Sequence, residues 1–210
     1  MKWVVALAVA ASLLAGAAHA QPKKMERSVE KQREAVEAWT ACIADENAQE
    51  VAATLMQDYR EDGYKSAIQQ LAQKRVSSEC FEAMPRAYRQ IRLTGLPFAG
   101  GLAERMIERD EAPLITRLSM AAIGPEAPTY SYTDQVASCM TRGAPHLVAR
   151  LFGTEINSEA ELASLKELAA VKDVCTSRGA PVEASPLAMR AMLATASFRL
   201  LAAQKAQTDA

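Results

Sequence analysis

The sequence predicts an all-α protein: two tandem helical-hairpin units, packed together and stapled by disulfides. Three observations lead there. Apolar residues recur at helical spacing in nearly every segment, and no stretch alternates convincingly with period two. The composition is 50% hydrophobic but only 5% aromatic, and nine Gly and nine Pro in 210 residues are too few for a disordered chain. Four cysteines, Cys42, Cys80, Cys139 and Cys175, fall at matched spacings in the two halves.

Residues 1–20 read as a cleaved secretory signal peptide. Lys2 supplies the positive charge and Trp3 to Leu14 the apolar run. Ala18-His19-Ala20 places small residues where a signal peptidase reads them. The run is short for a bilayer span, which needs about 20 apolar residues. No cysteine follows the cut, so no lipid anchor is expected, and the remaining chain contains no candidate transmembrane segment. The expected location is therefore periplasmic or secreted.

From Gln21 onward the elements follow one another as helices. Met25 to Ala44 places Val29, Val36, Trp39 and Ile43 on one face, and Ala48 to Tyr59 carries Val51, Leu55 and Tyr59 at i, i+4 and i+8. Tyr64 to Gln73 carries Tyr64, Ile68 and Leu71, and Phe81 to Ile91 is broken near Pro85. Pro97 precedes a helix from Phe98 to Glu108, and Pro113 one from Leu114 to Ile123. Residues 124–129, opening Gly-Pro-Glu-Ala-Pro, have turn chemistry and no periodicity. They read as a linker between unit one (21–123) and unit two with its tail (130–210). Unit two continues with Tyr132 to Thr141, Pro145 to Phe152, and Glu159 to Val171. Ser158 and Glu161 form a capping box at the start of the last of these. Ser185-Pro186 opens a final helix running to about Gln204.

The units look like copies. A shift of 97 positions carries Cys42 onto Cys139, Val51 onto Val148, Leu55 onto Phe152 and Leu71 onto Leu168. With small deletions, Cys80 meets Cys175 and Leu102-Ala103 meets Leu193-Ala194. Four cysteines allow three pairings. The repeat selects Cys42–Cys80 and Cys139–Cys175, as expected of an even count in an exported chain.

Chemistry is sparse. Lys and Arg number 24 against 25 Asp and Glu, without a basic block, so nucleic acid is not an expected partner. No C-x-x-C pair suggests zinc, and no cofactor, metal or catalytic constellation is readable. After signal removal His146 is the only histidine, and no triad partners are readable beside it. Gly100-Gly101, taken as lying at a helix start, suggests either an approach for an anion or, more simply, close helix packing. Glu104 and Glu108 share a helix face beside Arg105, Arg109, Asp110 and Glu111. A carboxylate pair can run glycoside cleavage, whereas alternating charges ordinarily make a solvated face. Met84, Met106, Met120, Met140, Met189 and Met192 read as dispersed core filling, as does Trp39.

The pattern of Trp39-Thr40-Ala41-Cys42 and Val136-Ala137-Ser138-Cys139 opening each unit, with Val148 to Thr154, Glu159 to Ala169, Cys175 and the Phe98 to Glu104 closing helix, resembles a group of exported helical proteins of alphaproteobacteria. The resemblance implies a periplasmic protein and carries over no activity, cofactor or catalytic residue. The expected function is a non-enzymatic binding or structural factor of the cell envelope. It would engage a protein or small-molecule partner in the groove between its units. The alternatives are a periplasmic hydrolase using Glu104 and Glu108, and a chaperone-like envelope-stress protein with an exposed apolar concavity.

Overall fold

The computed structural model describes residues 28–89, 91–177 and 179–208, and the predicted signal peptide lies outside them. The described residues form α1 (Val29–Glu46), α2 (Ala48–Leu55), α3 (Asp62–Ala72), α4 (Ser78–Ala83), α5 (Gly95–Glu108), α6 (Leu114–Ile123), α7 (Tyr132–Gly143), α8 (Pro145–Phe152), α9 (Glu159–Thr176) and α10 (Pro186–Thr208), with no strand among them. A 3-10 turn, Arg86–Arg89, follows α4.

Serine starts helices repeatedly. The hydroxyls of Ser28, Ser77, Ser131 and Ser158 each accept the backbone N–H three residues on, ahead of α1, α4, α7 and α9. Ser185 does the same for the N–H of Ala188, so the predicted Ser-Pro start of α10 is what forms. Proline ends one segment and opens the next at Pro113–Leu114 and Pro145.

The centre of the molecule is α10. Of its residues 189–200 all but Met192 and Phe198 are buried, Leu193 and Ala194 fully so. α5 and α7 pack on it, α1 packs on α5, and α6 crosses to meet α7, α8 and α10. Phe98, Leu102, Ile43, Val51 and Leu71 from the first half join Met140, Val148, Leu151, Leu168 and Leu193 from the second in one core. Burying each such side chain contributes roughly 1.5–3 kcal/mol.

The α5–α10 contact requires a glycine. A Cβ on Gly100 would stand 2.5 Å from the Cα of Ala191, and one on Gly101 would stand 2.7 Å from the Thr40 hydroxyl oxygen. Close packing is thus the role of this pair. The glycines do not open the helix as expected from sequence, because α5 begins at Gly95 and their N–H groups lie inside it. An anion-binding helix start at that point is therefore excluded.

Other boundaries differ for physical reasons. α2 ends at Leu55, not Tyr59: Asp58 folds a side-chain turn by accepting the Arg60 N–H (3.0 Å), and Tyr59 swings onto Tyr64 and Tyr130. α9 runs on to Thr176 and so includes Cys175. On α1, Val29 is 65% exposed, and the buried face instead includes Arg33 and Thr40. Trp39 is only partly buried; its indole N–H donates to the Tyr88 carbonyl (2.7 Å) and its ring meets Phe81 edge-on.

Cys42 pairs with Cys80 and Cys139 with Cys175, with Cα–Cα distances of 6.1 and 5.8 Å. The bridges tie α1 to α4 and α7 to α9. Closing loops of 38 and 36 residues stabilises by about 4 kcal/mol each in the chain-entropy model. A non-reducing digest should yield these two linked peptides, and Cys139→Ser/Cys175→Ser should lower the urea midpoint accordingly. A Cys42–Cys139 peptide would defeat the assignment. A second expectation concerns the helix contact. Gly100→Ala should destabilise by about 1–3 kcal/mol through overpacking. Ala191→Gly in that background should restore only part, because the clash includes the Ala191 backbone; calorimetric melting of the single and double variants checks both.

Candidate functional site

Two buried arginines of α10 organise what lies on either side of it. Arg190 and Arg199 are nine residues apart. At about 100° per residue they project from opposite sides of the helix. Their side chains are only 5% and 4% exposed. A buried guanidinium must find anionic and hydrogen-bonding partners, or it costs several kcal/mol.

Both find an acid at the start of another helix, and both acids are used in the same way. Glu161 sits three residues after the Ser158 cap, and Asp134 three after the Ser131 cap. In each case the carboxylate reaches back to the N–H just before the cap: Asn157 N–H to Glu161 (3.0 Å) and Tyr130 N–H to Asp134 (3.1 Å). Asn157 adopts φ 60°, a conformation asparagine tolerates better than most residues. The predicted capping box therefore forms on its serine side, while the Glu161 carboxylate serves elsewhere.

Glu161 is the junction of the first site. Both Arg33 Nη atoms donate to it, Nη1 to Oε2 at 2.7 Å and Nη2 to Oε1, and Arg190 Nη1 adds a bond at 3.1 Å. Burial pushes its carboxyl up, but Arg33 and Arg190 together hold it below the usual carboxylate value. Arg190 then spends its remaining donors. Nε lies 3.1 and 3.0 Å from the two Glu104 oxygens, Nη2 bonds Glu104 Oε1 and the Thr154 carbonyl, and Nη1 also bonds the Thr154 hydroxyl. Burial pushes the Glu104 carboxyl up, with Arg190 opposing it. Arg33, Glu104 and Arg190 border a small cleft of about 70 Å³ between α1, α5 and α10.

Glu104 and Glu108, the predicted carboxylate pair, both border this cleft. Neither is a free carboxylate: Glu104 is held by Arg190, and Glu108 by Arg105 (3.1 Å), which also clamps Asp45. Arg109 reaches Asp45 as well. His146 is exposed on α8, and no group of metal-ligating side chains gathers among the described residues.

The second site is a cleft of about 340 Å³ on the other side of α10. Tyr59, Tyr64, Ile68, Leu96, Ala99 and Met192 give it apolar and aromatic walls; Asp134, Arg199 and Thr195 supply the polar groups. The Tyr59 ring meets Tyr64 and Tyr130 edge-on at 6.4 and 6.1 Å. Arg199 Nη1 bonds Asp134 (2.7 Å), Nε bonds the Leu55 carbonyl (2.9 Å), and the guanidinium lies over Tyr130 (4.9 Å). Burial raises the Tyr64 phenol above its ordinary value, so it stays protonated and able to donate.

The two clefts correspond position by position under the sequence offsets. The shift of 97 carries Glu37 onto Asp134 and Tyr59 onto Ile156; the offset that matches Leu102 with Leu193 carries Ala99 onto Arg190 and Glu104 onto Thr195. All of these residues line one cleft or the other. A long arginine stands in the smaller cleft where the larger has alanine. The role of the tyrosines is not legible from sequence: periodicity puts Tyr59 on a helix face, and no local motif marks Tyr130.

A third, more open depression lies between α5, α6 and α10, with Met106, Met120, Phe198 and Leu201 on its surface and Arg109, Arg117 and Lys205 also bordering it. Met84, Met140 and Met189 are buried as expected of core filling, whereas Met192 lines the larger cleft and Met120, 54% exposed, does not fill the core.

No protein-family model matches the chain, and no curated protein or solved structure matches it. Among the described residues no helix is long and apolar enough to cross a membrane.

The Glu161 junction generates a stability prediction with a definite sign. Glu161→Gln leaves Arg33 and Arg190 buried without their shared anion and should cost about 3–5 kcal/mol at pH 7. The folded-state value lies below the ordinary 4.5, so the ionised form stabilises the fold above pH 4.5, and that contribution disappears as pH falls through the folded value. The gap between wild type and variant should therefore be widest near neutrality and narrow below pH 4.5. Urea midpoints measured from pH 3 to 7 check this, and a gap independent of pH would refute it.

Proposed function

We propose that the chain is a non-enzymatic binding protein of the cell envelope, exported by its N-terminal segment, whose ligand occupies the larger cleft between its halves. One observation carries the reading: an open cleft of about 340 Å³, walled by apolar and aromatic side chains with a few convergent polar groups. Small-molecule sites have this size and composition. Both halves contribute, Tyr59, Tyr64 and Ala99 from the first and Asp134, Met192 and Arg199 from the second. Export is supported by the signal-like residues 1–20 and by four cysteines in two pairs, an arrangement that persists in oxidising compartments. The position-by-position match of the two clefts supports the halves being copies of one helical unit, with one cleft filled by Arg190 and the other left open.

The hydrolase alternative is weaker on the same observations. A general acid or base must reach substrate with its proton free to move. The Glu104 carboxylate is instead committed to Arg190 by its Nε and Nη2 bonds.

The test is a small-molecule fragment library of mixed charge and polarity, titrated by two-dimensional NMR onto the oxidised full-length protein. Binders should shift the signals of Tyr59, Tyr64 and Met192, and Leu96→Trp, at the 37% exposed wall residue, should weaken them at least tenfold. A library in which no compound shifts those signals would overturn the reading and move attention to the depression beside Met120 and Phe198.

A further inference from the structure

The two buried arginines of α10 are equally hidden but unequally satisfied. Arg190 donates from Nε, Nη1 and Nη2, each to an acceptor in the protein. Arg199 donates from Nε to the Leu55 carbonyl and from Nη1 to Asp134 Oδ2, and its Nη2 has no acceptor among the described residues. The partner acid is half-used as well. Asp134 Oδ2 takes both Arg199 and the Tyr130 N–H, while Oδ1 accepts from no described residue. Neither atom is one of the buried side-chain atoms that lack a partner, so both are open to solvent in the cleft, and a ligand that displaces that water must replace its hydrogen bonds. Here an open donor and an open acceptor belong to one ion pair, and both residues line the larger cleft.

We propose, building on the reading of that cleft as the ligand site, that its ligand is an uncharged, flat, largely apolar molecule with a carboxamide-type edge. Such an edge carries a carbonyl acceptor beside an N–H donor. The carbonyl takes the Arg199 Nη2 donor and the N–H goes to Asp134 Oδ1. Charge decides against the alternatives. Arg199 and Asp134 already neutralise one another, so an anion attracted by Arg199 meets Asp134, and a cation attracted by Asp134 meets Arg199. Either would also surrender its hydration to enter an apolar cleft. A plain hydrocarbon would fit the walls but leave both polar groups unmade. The walls favour a ring: Tyr59 and Tyr64 stand edge to face at 71°, and aromatic pairs prefer such offset or edge-on arrangements. Ala99 keeps the space open where the matching position of the other cleft is Arg190.

Four probes of one shape test this: benzamide, benzoate, benzamidinium and toluene, each titrated by NMR onto the oxidised full-length protein. Benzamide should shift the Tyr59, Tyr64 and Met192 signals and bind at least tenfold more tightly than the other three. Arg199→Lys, which keeps the charge but removes Nη2, should abolish that preference. If that variant does not fold, as judged by circular dichroism, the ranking on wild type decides alone. Benzoate, benzamidinium or toluene binding the same cleft as tightly as benzamide overturns the proposed class and leaves the cleft a ligand site. Binding by other library fragments with no response to benzamide does the same. Silence from every compound overturns both readings.

Discussion

The fold depends on burying two guanidinium groups within one central helix. α10 is largely surrounded, so the Arg190 and Arg199 side chains are almost wholly withdrawn from water, and each must be met by chain brought from elsewhere. The acids that meet them sit in the first turns of α9 and α7, where helix N-termini already favour negative charge. Each acid also holds the N–H that precedes its own cap. A single carboxylate therefore fixes how a helix begins and how that helix sits against α10. Glu161 adds Arg33 and so draws α1 into the same junction. Four helices from different parts of the chain are set in register by four charged side chains: Arg33, Glu104, Glu161 and Arg190. Such a cluster contributes little net stability over apolar packing of the same volume, but losing any one member strands the others.

The close α5–α10 contact is the second constraint, and the clefts are its consequence. Gly100 lets the α5 backbone lie against Ala191. Two helices this close at one point diverge on either side, and ridges fill the space only where side chains are long enough. On one side Arg190 reaches across to Glu104 and narrows the opening. On the other, Ala99 and Thr195 are short, and the opening persists between tyrosines.

Much of the fold was legible because it rests on local rules. Helical periodicity, the prolines at 113 and 145 and the serines at 158 and 185 marked elements that the structure contains. The cysteine spacing selected the observed pairs. What failed involved long-range partners. Tyr59 continues the apolar face of α2 in sequence, yet it leaves the helix because Arg199 and Tyr130, far along the chain, give its ring a better place. Glu161 satisfied a local capping rule, which concealed its service to two arginines. Nothing local separates a buried arginine such as Arg33, Arg190 or Arg199 from an exposed one. The candidate site consists largely of such residues, and so most of it was not visible in the sequence.

Arg190 and Arg199 also bear on how function is recognised in a helical protein without catalytic motifs. Local propensity, packing and polar satisfaction ordinarily agree at each position, and places where they disagree are where a protein holds something in reserve. Arg190 illustrates agreement: every donor nitrogen is answered, and its cleft is occupied by the protein's own charges. Arg199 has the same burial, the same helix and the same kind of acidic partner, and it stops short. The protein had a complete solution available, since it uses one on the opposite face of the same helix. Thr195 stands where the other cleft places Glu104, and so withholds the second carboxylate that would have completed Arg199. The ion pair of Arg199 and Asp134 therefore leaves one donor and one acceptor facing an aromatic cleft, where the proposed ligand would meet them.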